Sequence, residues 1–161
     1  NLERFFYFKT KWINYRYNNL ESKNKDFLLF DLSYSEGAFI AKEDLRSSFL
    51  HIKVPKKMPV FTLDKENFMT TILQLSGLED IDFKKHPDFS RRFYLRGEDV
   101  KSIRAFFTDD LIYFFESHPA YYLESDGDSL LIRSKERLAS IQEIKQILAF
   151  AEELLKILDN K

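Results

Sequence analysis

Residues 121–133 have the sequence YYLESDGDSLLIR, the clearest structural signal in the chain. An Asp126-Gly127 step lies between two apolar runs, Tyr121–Glu124 and Ser129–Arg133. An Asp-Gly step in that setting predicts a β-hairpin with a tight turn. Because a hairpin pairs its two strands antiparallel, we expect a mainly antiparallel sheet.

A capping box follows this hairpin at Ser140-Ile141-Gln142-Glu143. The Ser side chain and the Glu side chain of such a motif satisfy main-chain N–H groups at the start of a helix. Apolar residues then recur at helical spacing to about Leu158. They are Ile141, Ile144, Leu148, Ala151, Leu155 and Leu158. The chain is therefore predicted to end in a long amphipathic helix.

The upstream half is dominated by strand patterns. The predicted strands are Phe5–Tyr17, Phe27–Tyr34, Ser48–Val54, Val60–Leu63 and Phe89–Leu95. Asp64 stands where an N-cap belongs, before a helical pattern at Phe68, Ile72 and Leu75 that Gly77 would end. The predicted class is α+β: a mainly antiparallel sheet with about three to four helices on one face, the last of them long.

Composition excludes several classes of function. The 161 residues include 17 Phe and 8 Tyr, which predicts one aromatic core and a single soluble domain over 1–161. The net charge is −1, so we expect no nucleic-acid partner, because nucleic-acid binders usually carry a basic surplus. Without any cysteine, the chain has no disulfide, no thiol nucleophile and no Cys-ligated zinc.

The strongest candidate for chemistry is a set of acids and arginines in the middle of the chain. Asp80 and Asp82 form a tight acidic pair, and Arg91 and Arg92 follow within a dozen residues. Local capping and ion pairing explain them without any active site. If the four side chains shared a concave pocket, they would suit a hydrolase or a transferase, since paired carboxylates do acid–base work and arginine binds anionic groups.

Trp12 lies in a second candidate region, an aromatic stretch from Phe5 to Tyr17 interleaved with Lys9, Lys11 and Arg16. An ordinary strand is the first interpretation. The alternatives are a surface for a partner protein, a membrane-interface belt and a grip on single-stranded nucleic acid. The near-neutral charge of the whole chain argues against the last of these.

No metal or cofactor site is predicted. His51, His86 and His118 lie far apart and show no ligand spacing. Asp126 and Asp128 flank a glycine, but a strand follows at once, whereas a calcium loop needs about a dozen residues. We therefore expect no metal, no cofactor and no assignable catalytic residue.

Several short motifs in this order resemble a bacterial family. They are Phe30-Asp31-Leu32-Ser33-Tyr34, Asp80-Ile81-Asp82-Phe83 and Phe89-Ser90-Arg91-Arg92-Phe93-Tyr94-Leu95. The series, from about Phe27 to Leu158, is similar to membrane-associated proteins in which one or two N-terminal transmembrane helices precede a soluble domain of unknown function. One departure is Asp64-Lys65, where the relatives tend to have Pro before Glu.

The resemblance implies a place for the domain, and no activity or catalytic residue. No run in the chain is long and apolar enough to span a bilayer, and the chain begins with Asn1. We expect a piece of a longer, membrane-anchored protein, on the cytoplasmic face. The leading hypothesis is a non-enzymatic binding or regulatory module that engages a protein partner near a bacterial membrane. The alternatives are the acid–arginine enzyme and a small partner-binding protein such as an immunity protein.

Overall fold

The computed structural model describes residues 2–24, 26–37, 42–65 and 78–159. They form a seven-stranded antiparallel sheet with the strand order β1-β2-β3-β7-β6-β4-β5. The strands are β1 Trp12–Glu21, β2 Phe27–Glu36, β3 Glu43–Lys53, β4 Phe61–Lys65, β5 Phe93–Arg96, β6 Tyr122–Ser125 and β7 Ser129–Arg133. The predicted α+β class with an antiparallel sheet is confirmed.

The described residues also form four α-helices, which pack on one face of the sheet. They are α1 Pro87–Arg92, α2 Val100–Phe106, α3 Asp109–Ser117 and the 19-residue α4 Ile141–Asp159. Phenylalanine rings fill the space between helices and sheet. Phe89, Phe107 and Phe115 contact one another, and Phe150 of α4 contacts Phe115. Burial of these large rings is the main force that holds the two layers together.

Both local motifs in the last third of the chain form as predicted. In the capping box, Ser140 N donates to Glu143 Oε2 at 2.9 Å and Glu143 N donates to Ser140 Oγ at 3.3 Å. In the hairpin, Asp126 Oδ1 accepts from the main-chain N–H of Ser129 at 2.8 Å. Gly127 has a φ of 97°, in the left-handed region that glycine adopts without strain.

The prediction of a strand from Phe5 to Tyr17 is wrong in its first half, because β1 begins only at Trp12. Two 3₁₀ turns precede it, Leu2–Arg4 and Phe6–Phe8. Tyr7 and Phe8 are both buried against the sheet face opposite the helices. Neighbouring residues of a strand point to opposite faces, so only a turn lets both rings pack there. We call residues 2–11 the strap.

Two further predictions need correction. The stretch Phe89–Leu95 is not one strand: Pro87–Arg92 is helical, with Pro at its first position and arginines in its last turn, and β5 begins at Phe93. Asp64 is not an N-cap but lies within β4, opposite Tyr94 of β5. The helical pattern predicted after it falls on 66–77, outside the described residues.

Strand length divides the sheet into two parts. β1, β2 and β3 have ten, ten and eleven residues, whereas β4 to β7 have four or five. Among the described residues, the helix-side core reaches β2 and β3 only at one end, near Leu29 and Leu50. The other ends of the long strands therefore extend beyond the four described helices.

β1 is also the outermost strand of the sheet, and it is irregular. Its register with β2 shifts between Ile13 and Tyr15, and again between Tyr17 and Leu20. Asn18, inside the second shift, has a φ of 49°. These bulges leave Tyr15–Tyr17 as a short regular segment between them.

Across the part of the chain that is described, no helix is both long and apolar enough to cross a membrane.

Gly97 provides a test of how closely the layers pack. A Cβ on Gly97 would lie 2.5 Å from the main-chain oxygen of Val60 and would collide with the side chain of Ile103. Because backbone cannot move aside cheaply, we expect Gly97→Ala to lower the free energy of unfolding by about 1–3 kcal/mol in urea titrations. The exposed Lys101→Ala should change it by less than about 0.5 kcal/mol. Equal effects of the two substitutions would contradict the close approach.

Candidate functional site

The carboxyl of Asp80 binds the main chain of β5, whereas Asp82 contacts α2 through its main-chain oxygen. Asp80 Oδ1 accepts a hydrogen bond from Leu95 N at 2.9 Å, and burial raises the pKa of the Asp80 carboxyl. The main-chain oxygen of Asp82 accepts from Arg104 Nη1 at 2.6 Å. Within the described ranges, no hydrogen bond or ion pair joins either acid to Arg91 or Arg92.

The two arginines are used differently from one another. Arg92 donates to the main-chain oxygens of Phe115 at 3.3 Å, Glu116 at 2.7 Å and His118, so its guanidinium caps the end of α3. Arg91 is 76% exposed and pairs with Asp88 one turn before it. The side chains of Asp80, Arg91 and Arg92 thus bind different groups within the described part of the chain.

Trp12, in contrast, lies on an open surface. It is 59% exposed as the first residue of β1, Tyr15 is 53% exposed, and the half-buried Tyr17 lies with its ring centroid 5.4 Å from that of Tyr15. The register places all three opposite β2 residues of a single sheet face. β1 therefore presents an aromatic row on that face.

This face continues across β2 and β3 in three rows of paired residues. The rows are Trp12-Ser35-Asp44, Tyr15-Ser33-Arg46 and Tyr17-Asp31-Ser48. Paired residues on antiparallel strands project to the same side, so these nine residues form one surface. We call it the groove face, because the small serines of β2 lie between aromatic side chains on β1 and charged side chains on β3.

Hydrogen bonds within the groove face fix its acids. Ser35 Oγ donates to Asp44 Oδ1 at 2.6 Å and accepts from Asn14 Nδ2 at 2.9 Å. Asp31 accepts from Ser48 Oγ at 2.5 Å and from Asn18 Nδ2 at 2.7 Å. The two aspartates are therefore held in position before any ligand arrives.

The opposite face of the sheet holds a buried polar cluster beneath the strap. Glu124 of β6 is 1% exposed. Its carboxylate accepts from two successive main-chain N–H groups of the strap, Phe6 N at Oε1 and Tyr7 N at Oε2 over 3.1 Å. Tyr122 donates its hydroxyl to Oε2 at 2.7 Å. One carboxylate thus holds the main chain of the strap to the sheet.

Tyrosines and one arginine extend this cluster. The hydroxyls of Tyr7 and Tyr34 lie 2.7 Å apart. The Arg133 guanidinium lies 4.8 Å from the centre of the Tyr7 ring, and its Nη1 is 3.1 Å from Glu136 Oε1. Arg133 Nε and the Asp64 Oδ2 atom of β4 are buried and have no hydrogen-bond partner among the described residues. The cluster combines acid, phenol and guanidinium, as an active site often does.

Enclosure nevertheless gives this cluster a structural role. Tyr7 and Tyr34 are fully buried, and the Arg133 side chain is 3% exposed, so solutes do not reach them in this conformation. Burial raises the pKa of Glu124 to about 7 against the lowering effect of its three hydrogen bonds, and burial raises the pKa of Asp64 to about 6. The groove face, in contrast, exposes Trp12, Tyr15, Asp44 and Arg46 around its buried serines, and we take it as the candidate functional site.

Of the groove-face residues, the sequence analysis named Trp12 as a possible partner contact and did not name Ser33, Ser35 or Arg46. A signal for them was present: polar residues alternate at 31, 33 and 35 and again at 44, 46 and 48, which is the period of one strand face. Glu124 carried no such signal, since the strap that covers it comes from the other end of the chain.

Among the described residues, no group of three or more histidine, aspartate or glutamate side chains could hold a metal ion. Comparisons of the chain with protein-family models, with curated proteins and with solved structures found no match.

Adjacent arginines provide a direct test of the capping role of Arg92. Arg92→Met keeps the apolar stem but leaves the main-chain oxygens at the end of α3 without their charged donor. We expect a loss of about 2–3 kcal/mol in the free energy of unfolding, measured by urea titration. Arg91→Met removes only an exposed pair and should cost less than about 0.5 kcal/mol. Similar losses for both variants would contradict the assignment.

The buried carboxyl predicts how stability depends on pH. The pKa of Glu124 rises from 4.5 to about 7 on folding, so the folded state binds the proton more tightly between those values. The free energy of unfolding should therefore fall as pH rises through this window, by about 2–3 kcal/mol at ~1.4 kcal/mol per pKa unit. Chemical denaturation at pH 5 to 8 measures it.

Substitution distinguishes the contribution of Glu124 from that of Asp64. The pKa of Asp64 is raised to about 6, so Asp64 also lowers the free energy of unfolding as pH rises, but its contribution is complete at a lower pH. Glu124→Gln should flatten the profile between pH 6 and 7.5, since an amide retains an oxygen for the strap but does not titrate. Glu152→Gln, on the exposed side of α4, is the control and should keep the wild-type slope. A slope that persists in Glu124→Gln would assign the pH dependence to another group.

Proposed function

We propose that this chain is a non-enzymatic binding module that engages a protein partner through the groove face. The observation that carries the proposal is the aromatic row of β1: Trp12 and Tyr15 are more than half exposed and lie on the same face of the sheet. Exposed tryptophan and tyrosine are costly in water and are the residues enriched at the energetic centres of protein interfaces. The position of β1 at the sheet edge leaves room for a partner beside it.

The resemblance of the motif series to membrane-associated bacterial proteins supports a setting for this module. We propose that it acts near a bacterial membrane, on the cytoplasmic side, with any anchor outside this chain. The same face would equally serve a small partner-binding protein of the immunity type. Identification of the partner separates the two, since an immunity protein would bind a toxin.

An enzymatic role has less support. The acid–arginine hypothesis needs Asp80, Asp82, Arg91 and Arg92 in one pocket, whereas the side chains of Asp80, Arg91 and Arg92 bind different groups. In particular, the guanidinium of Arg92 already donates hydrogen bonds to three main-chain oxygens.

Site-specific crosslinking in living cells that express this chain tests the proposal. A photoreactive phenylalanine analogue replaces Tyr15 on the groove face or, as a control, Tyr113 on α3, which is 58% exposed. We expect a protein adduct from position 15 and none from position 113. The crosslinked partner is identified by mass spectrometry. It is then purified without the crosslink and titrated against the wild-type chain by calorimetry.

Affinity in the purified system decides the outcome. Trp12→Ala should weaken binding at least about tenfold, as expected when an aromatic anchor is lost, whereas Tyr113→Ala should change it less than about twofold. Full affinity of folded Trp12→Ala, or adducts from both positions alike, would refute the groove face as the binding surface.

A further inference from the structure

His118, the residue that follows α3, joins two helices through its imidazole ring. Its Nδ1 atom lies 2.7 Å from the main-chain oxygen of Phe114 in α3. Its Nε2 atom lies 3.0 Å from Glu153 Oε2 of α4. The ring also packs against Phe114 and Phe150, whose ring centroids are 4.1 and 5.7 Å away. One side chain therefore links the end of α3 to α4.

Both ring nitrogens of His118 face acceptors. A carbonyl oxygen and a carboxylate accept hydrogen bonds and do not donate them, whereas a neutral imidazole has only one N–H. Only the imidazolium, which carries a hydrogen on each nitrogen, satisfies both contacts together. In the neutral ring one contact loses its hydrogen, and the exposed side chain of Glu153 is then able to turn into solvent.

A neighbouring hydroxyl does not change this count. Ser117 Oγ lies 3.2 Å from Nδ1 of His118 and donates to the main-chain oxygen of Phe114 at 3.0 Å. If the hydroxyl donated to an unprotonated Nδ1 instead, the lone pairs of Nδ1 and the Phe114 oxygen would face each other over 2.7 Å. The hydrogen therefore belongs on Nδ1.

The charged groups around the ring act in both directions. Glu153 favours the imidazolium, and so do the carbonyl groups at the end of α3, which carry partial negative charge. Arg92 of α1 opposes it, because its guanidinium donates to the main-chain oxygen of His118. The carboxylate of Glu116 accepts from Phe89 N at 3.0 Å. The two groups that touch the ring nitrogens are both acceptors, so direct contact favours the cation.

We infer that His118 is a pH-dependent tie between α3 and α4, made when its ring is protonated and released when the ring is neutral. Histidine is the side chain that ordinarily changes charge between pH 5 and 8. Because the folded state offers the added proton a second acceptor, the tie stabilises the fold at the acid end of this range. Its contribution is lost as pH rises.

The tie acts on the helix beside the candidate site. In the segment that leads into α4, Ala139 N donates to Ser48 Oγ of the groove face at 2.9 Å. The inference does not depend on the proposed function, because it concerns the attachment of α4 and not the identity of a partner.

A double-mutant cycle tests the inference. Wild type, His118→Gln, Glu153→Gln and the double variant are unfolded in urea at pH 5.5 and at pH 8. The contribution of Glu124 cancels, since all four chains retain it. We expect the interaction between His118 and Glu153 to shift the unfolding equilibrium about three- to fivefold at pH 5.5 and less than about 1.5-fold at pH 8.

Glu152 provides the matched control, because it is the adjacent, exposed carboxylate of the same helix. A cycle of His118→Gln with Glu152→Gln should give less than about 1.5-fold at both pH values. An interaction with Glu153 that is equal at pH 5.5 and pH 8, or absent at pH 5.5, overturns the inference. An equally strong interaction with Glu152 overturns it too, since it would show a general attraction to the charge of α4.

Nitrogen-15 NMR of the wild-type chain reads the protonation of the ring directly. The signals of His118 are those that are missing from His118→Gln. At pH 5.5 we expect a hydrogen on both Nδ1 and Nε2, and at pH 8 a hydrogen on one of them only. A ring with a single N–H at pH 5.5 overturns the inference whatever the cycle shows.

Discussion

The hydrogen bonds between Glu124 and the strap are the interaction on which the rest of the arrangement depends. The strap forms no strand, and within the described ranges its main-chain N–H groups and main-chain oxygens bond to one another and to no other main chain. The carboxylate of Glu124 therefore provides the link between the strap main chain and the sheet. Buried rings of Phe5, Tyr7 and Phe8 then add apolar contact over the same face. A directional bond sets the position, and the rings supply most of the free energy.

The position of the strap determines where β1 begins, because the chain runs directly from the strap into β1. Lys11, the last strap residue, places its ammonium 2.6 Å from Glu36 at the end of β2 and 4.5 Å from the Tyr7 ring. The next residue is Trp12. The two faces of the sheet are thus connected: a buried acid on one face holds the segment that leads into the aromatic row on the other.

Local sequence signals predicted those features whose causes are local. The Asp126-Gly127 turn and the Ser140 capping box form because a few neighbouring residues satisfy one another's main-chain groups. The strap was mispredicted because its aromatic residues favour a strand in isolation, whereas the buried Glu124 offers their main chain a different partner. α1 was missed because a six-residue helix has too few turns to show a period, although Pro87 and the arginines at its end were visible.

The candidate site was predictable only in part, for a related reason. Trp12 stood out as the single tryptophan, but its neighbours in space lie on strands whose register no single stretch of sequence specifies. Asp80 and Asp82 were near Arg91 and Arg92 in sequence, and nearness in sequence did not become contact. Arg92 contacts α3, more than twenty residues further along the chain.

The bulges of β1 have a consequence for how molecules of this protein meet one another. An aromatic strand at a sheet edge is the usual starting point of fibril growth, which needs a long, uninterrupted row of outward N–H and C=O groups. In β1 that row is broken at Asn14 and again at the left-handed Asn18, so no uninterrupted stretch exceeds a few residues. Edge-to-edge stacking of whole sheets therefore lacks a matching template along β1. The irregular strand thus disfavours fibril growth from an edge that carries exposed aromatic side chains.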